Sequence, residues 1–77
     1  MSTHGLATKK MLRVASAVKS CLMAEINTIS DDIEFKEELY EDVRRIEYIS
    51  AEAIGLGWID SIDSLWLRDM GKEWGVL

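Results

Sequence analysis

The feature that most limits what this chain can fold into is a lack: there is no proline, and from Leu6 to Ile54 there is no glycine. A stretch free of both breakers and rich in Ala, Leu, Glu, Lys and Met reads as helix. Such side chains lose little rotamer freedom there, and nothing interrupts the backbone ladder. The apolar positions have the matching period. Met11, Ala15, Val18, Leu22, Ile26 and Ile29 advance in steps of three or four. Phe35, Leu39, Val43, Ile46, Ile49 and Ala53 do much the same. Each series runs along one face of a helix, and little strand-like alternation competes with either.

Between the two series lies NTISDD, Asn27 to Asp32. Short polar side chains bond their own backbone in competition with helix continuation, so the helix should break near residue 30. Asp31, followed three residues later by Glu34, has the form of a capping box, and Asp31, Asp32 and Glu34 all suit the positive end of a helix. The spacing predicts a first helix over about residues 6–29 and a second over about 32–54. Glycine at Gly55 and Gly57 can take the left-handed conformation that closes the second. Asp60 is the predicted N-cap of a short third helix, about residues 61–70, with Ile62, Leu65, Trp66 and Met70 as its apolar face and Gly71 as its end. The expected fold class is all-α: an antiparallel helical hairpin with a short third C-terminal helix, one small domain over residues 1–77, self-associating. The competing arrangement is one continuous helix through residue 54, packed between chains.

Charge is segregated along the sequence. Residues 1–29 carry a net +3, residues 30–54 a net −6 and residues 55–77 a net −2. An antiparallel pairing about residue 30 would set Lys9 near Glu52, Lys19 near Asp42, Arg13 near Glu47 and Glu25 near Lys36, each of opposite sign. Exposed pairs of this kind contribute only about 0.2–1 kcal/mol each, so their use is to select a register. The same complementarity serves helix 1 of one chain against helix 2 of another.

A chain of 77 residues buries a modest fraction of its surface and needs help to be stable. One cysteine, Cys21, makes no internal disulfide, and with a single His4 it cannot supply the usual four zinc ligands. A second chain or a partner is the remaining source of help, and a hydrophobic content of 48% points the same way. A net charge of −5 argues against direct nucleic-acid binding through bulk charge. No apolar run is long enough for a membrane span. The first 24 residues lack acidic side chains and carry Lys9, Lys10, Arg13 and Lys19, the composition of a mitochondrial transit peptide. Cleaving them would remove half the core, so the expected location is cytoplasmic.

Little here carries chemistry. Glu25 lies within the first apolar series and is expected to pair with Lys36 at the helix edge rather than to act as a buried acid. Cys21, beside Leu22, reads as a small hydrophobe, with no neighbouring His or helix start to lower its pKa. Phosphate loops, dinucleotide fingerprints and nucleophile elbows are missing from the sequence. No enzyme, no cofactor and no metal site is therefore expected.

What remains is surface. The stretch DDIEFKEELYED, residues 31–42, concentrates carboxylates, among them Glu34, Glu37, Glu38 and Glu41. Trp58, Trp66 and Trp74 follow at intervals of eight, and successive ones are turned by about 80° on a helix, too wide for a single stripe. Trp66 is expected in the core, Trp58 as a plug at the open end of the hairpin, and Trp74 at the surface as an interaction residue. The chain is thus expected to be a small acidic protein–protein interaction module, a regulator, inhibitor or adaptor. Its partner-binding residues would be Trp74, Trp58, Trp66, Glu34, Glu37, Glu38 and Glu41. A protein partner and a homo-oligomer, a dimer, are both expected. Two other readings fit: an acidic mimic of nucleic acid that blocks a nucleic-acid-binding complex, of the phage or plasmid anti-defence type, and a subunit whose oligomer is its function.

Overall fold

A computed structural model of the chain describes residues 3–77, with side chains from Thr8 onward. It is all-helical: α1 spans Thr3–Thr28, α2 Ile33–Leu56 and α3 Ser61–Glu73. Among the described residues there is no strand. His4 lies outside the residues whose side chains are described.

Both apolar series enter one core. Met11, Val14, Ala15, Val18, Leu22 and Ile26 of α1 are buried against Leu39, Val43, Ile46, Ile49 and Ala53 of α2, with Ile29 half-buried beside them. Phe35, expected to begin the second series, is exposed, one turn beyond the end of the buried stripe. α1 is the common support, since α2 and α3 each pack mainly against it. No described helix is long and apolar enough to cross a membrane.

The helix ends follow local chemistry more closely than counting does. Asp32, not Asp31, caps α2: its Oδ1 accepts the Phe35 amide at 3.0 Å. That moves the start of α2 one residue later, and the four residues 29–32 make the turn. At the other end α2 runs through Gly55 and closes at Gly57, whose φ of 83° is the left-handed conformation and whose amide donates to the Ala53 carbonyl at 2.7 Å. Asp60 stands at the start of α3 as expected but makes no side-chain cap bond; its carbonyl accepts the Ser64 amide instead.

The ion pairs differ from those expected. Among the described residues there are two: Lys19 Nζ to Glu47 Oε2 at 3.0 Å, and Arg45 Nη2 to Asp63 Oδ1 at 3.4 Å. Lys19 thus meets Glu47, not Asp42, and none of Lys9–Glu52, Arg13–Glu47 or Glu25–Lys36 forms. Helical side chains lean toward their own N-terminus, so a count of facing positions fixes a partner only to within about a turn of helix. The second pair ties α2 to α3, a contact not legible in hairpin arithmetic.

The third helix departs most from expectation. It continues through Gly71 to Glu73, and its buried residues are Leu67, Met70 and Gly71. Ile62 and Leu65, expected to face the core, are 70% and 58% exposed. Gly71 does not break the helix; it lets it approach. A Cβ there would lie 2.9 Å from Leu77 Cδ1 and 3.0 Å from Val14 Cγ1, so the missing side chain is what allows α3 to sit on α1 at this point. After Gly75, with φ of 72°, the amides of Val76 and Leu77 both donate to the Gly71 carbonyl, folding the last residues back onto the helix.

Candidate interaction surface

α3 has two apolar sides. Leu67, Met70, Gly71 and Trp74 recur at helical spacing and face α1 and α2; Trp58, Ile62 and Leu65 recur at the same spacing and face outward. The sequence supports either stripe, and α1 selects the first because only there does a glycine permit close contact.

The outward side is shaped. Trp58 and Leu65, with Ile59, Asp60, Ser64 and Arg68, line an open groove of about 590 Å³. Ile59 is buried and forms its floor, while Trp58 stands 45% exposed. Trp58 is therefore not the buried plug that was expected. The four residues between α2 and α3 hold it beside Leu65 instead. Ser64 and Arg68 also belong to a second groove of about 360 Å³ with Lys10, Met11, Lys72 and Leu77. The two grooves share a border along α3, apolar at the Trp58 end and cationic at the Lys72 end.

Trp66 is half-buried against the core, as expected, and is covered by Arg45, whose guanidinium carbon lies 4.2 Å from the ring centroid. The same guanidinium reaches Asp63, so Arg45 holds α3 by a cation–π contact and an ion pair together. This arrangement takes Trp66 out of reach as a free surface.

Trp74 is the other correction. Expected at the surface, it is half-buried against the core, and its Nε1 is buried with no acceptor among the described residues. With Phe35, Glu38, Leu39, Asp42 and Glu73 it lines a cleft of about 390 Å³ between α2 and α3. Burial pushes the Asp42 carboxyl above its ordinary value, and the neighbouring charge of Glu73 pushes it further, against the opposing pull of Arg45.

Glu34, Glu37, Glu38 and Glu41 are exposed and, among the described residues, unpaired. Their spacing sets them on one stripe of α2, turned roughly 130° from its buried face. Ile33 and Tyr40 are exposed beside that stripe.

No protein family, curated protein or solved structure matches this chain.

The structure thus separates residues that were grouped in sequence. Trp58 and the four glutamates are exposed; Trp66 and Trp74 are half-buried against the core. Ile62 and Leu65 face outward against expectation, and the cations Lys10, Arg68 and Lys72 unexpectedly share one groove. Continuing the helical count past Gly71 to Trp74 was the available signal for the first. The second joins residues 10 and 72 across the fold and has no local signature. Cys21 and Glu25 are half-buried. Among the described residues, no group of three or more His, Cys, Asp or Glu side chains is placed to hold a metal.

Proposed function

We propose that this chain is a non-enzymatic protein–protein interaction module, a regulator, inhibitor or adaptor, that docks a protein partner on the outward side of α3. The observation that carries the reading is the exposed row Trp58, Ile62 and Leu65 beside an open groove, on a helix whose other side is fully engaged. A small chain that leaves these side chains in water forgoes burial worth roughly 1.5–3 kcal/mol for each large apolar residue. Large apolar and aromatic residues grouped on a surface are what interface centres are made of.

In the same reading, α1 and α2 form an antiparallel hairpin and the chain self-associates. Two quantities support self-association. The radius of gyration is 13.1 Å, where a compact domain of this length has about 11.5 Å. The accessible surface is 5417 Å², where a compact monomer of this mass has about 4700 Å².

The test is site-specific. A photo-crosslinking residue at Ile62 should trap a partner in cells that express the chain, and Leu65→Glu on the same background should abolish the adduct while helicity by circular dichroism is unchanged. An adduct indifferent to Leu65→Glu and Trp58→Ala would place the docking face elsewhere.

A second reading rests on the unpaired glutamate stripe of α2: a nucleic-acid mimic that occupies the basic site of a partner. Its mark is release of that partner by moderate salt and by Glu37→Gln with Glu41→Gln, with Leu65→Glu having no effect.

A further inference from the structure

The cationic groove and the acidic stripe are complementary parts of one molecule that do not meet within it. Lys10, Arg68 and Lys72 converge on a groove floored by the buried Met11, with the exposed Leu77 and Ser64 at its edge. Among the described residues none of the three cations has an ion-pair partner, although the chain carries a net charge of −5. The α1 end of the groove is placed away from the stripe. Lys10 stands 18 residues before Thr28, about 27 Å of helix from the turn that starts α2 and its stripe. Both surfaces nevertheless border α3: the groove through Ser64, Arg68 and Lys72, the stripe through Glu38, which shares a cleft with Glu73 and Trp74.

We propose that the groove receives the α2 stripe of a second copy of this chain. The two copies lie antiparallel about a two-fold axis, so that each stripe enters the other copy's groove. Glu34, Glu37 and Glu41 of one copy meet Lys10, Arg68 and Lys72 of the other, while Ile33 and Tyr40 cover Leu77. The molecule's length of 49 Å gives the two contacts room to lie side by side. Reciprocal pairing closes the assembly at two and leaves neither surface free to continue a chain. This rests on the self-association proposed above and assigns its surfaces. The apolar row at Ile62 remains outside the contact and available to a different partner.

The experiment is sedimentation equilibrium on the full-length chain and on two charge-reversal variants. One carries Arg68→Glu with Lys72→Glu, the other Glu37→Lys with Glu41→Lys; all four positions are exposed, and circular dichroism reports whether each variant keeps its helices. The unaltered chain should dimerise, more weakly as salt is raised. Each variant alone should lose affinity by roughly tenfold or more, because like charges then face each other. An equimolar mixture of the two should restore a dimer, since each contact regains opposite signs. Should either reversal misfold, Lys72→Gln and Glu41→Gln give the same test at smaller amplitude. A dimer of undiminished affinity in both variants, or a mixture that fails to recover it, overturns these surfaces while leaving self-association standing. A monomeric unaltered chain at all accessible concentrations overturns both.

Discussion

α2 and α3 use the same kind of information to different ends. In α2 the apolar residues at helical spacing from Leu39 to Ala53 are all buried; Ile33, Phe35, Tyr40, Tyr48, Ile54 and Leu56 are exposed, but no two of them stand three or four residues apart, so they form no second stripe. In α3 two apolar stripes share 13 helical residues and the turn before them, one inward and one outward. A helix with one stripe announces its orientation. A helix with two announces only that it is a helix, and its orientation is settled by what it must pack against. Here that is Val14 of α1, which admits α3 only where Gly71 offers no Cβ.

The sharpest way to break this comparison is to truncate one leucine from each side of α3. Leu67 is fully buried and Leu65 is 58% exposed, yet they are two residues apart. Leu67→Ala should cost about 2–5 kcal/mol, the range for a deep core leucine, and this is a large part of what so small a domain has. Leu65→Ala should stay within roughly 0.5 kcal/mol. Urea denaturation followed by circular dichroism measures both. Equal losses would mean that α3 is seated on the wrong face.

The next effect concerns glycine. Gly71→Val would push branched carbon into a site where even a Cβ lies 3.0 Å from Val14, and should destabilise by about 2 kcal/mol through overpacking. Gly55 is the contrast: it is helical, has nothing within 4 Å of its would-be Cβ, and Gly55→Ala should stabilise by up to about 1 kcal/mol by helix propensity alone. The same residue type thus has opposite signs in the two helices, and thermal melts of the two variants read it directly.

These contrasts explain how far the sequence could be read. The helix count and the α1–α2 core follow from breaker-free sequence and regular apolar steps, because one stripe per helix leaves one solution. Gly71 misled for a physical reason. In sequence a glycine after Met70 looks like a stop, whereas in the fold it is a contact surface, and stopping there removed Trp74 from the stripe to which it belongs. Trp58 was misplaced because the turn from Gly57 to Asp60 carries no periodicity from which to infer a direction. The candidate surface was legible only in part: the glutamate stripe is local and visible, but the groove of Lys10, Arg68 and Lys72 exists only once α3 lies on α1.

Arg45 tests what joins the two regions. It covers Trp66 and pairs with Asp63, and its side chain is 43% exposed, so solvent screens part of both contacts. Arg45→Gln should cost about 1 kcal/mol, combining an exposed cation–π contact with a surface ion pair. Trp66 should become more accessible to an aqueous fluorescence quencher, whereas Lys19→Gln, which breaks the pair between α1 and α2, should leave quenching unchanged. If both variants behave alike, Arg45 is not what holds α3 beside α2.

The smallest expected effect lies in the cleft between α2 and α3, where Asp42 is raised above its ordinary value of 3.8 by burial and then by Glu73. A raised acid is disfavoured in its ionised form in the folded state. The folded chain therefore holds its proton more tightly than the unfolded chain, and stability falls as pH rises through the window just above 3.8. At neutral pH the cost is fully present. Asp42→Asn removes it, so the variant should melt slightly higher than the unaltered chain at neutral pH, and the difference should vanish once the solution is acidic enough to protonate Asp42 in both states. Glu73→Gln should give part of the same gain, because it removes the second cause and leaves the first. A gain that persists unchanged into acid would trace to packing by the amide rather than to charge, and the cleft would then hold α3 against α2 by shape alone.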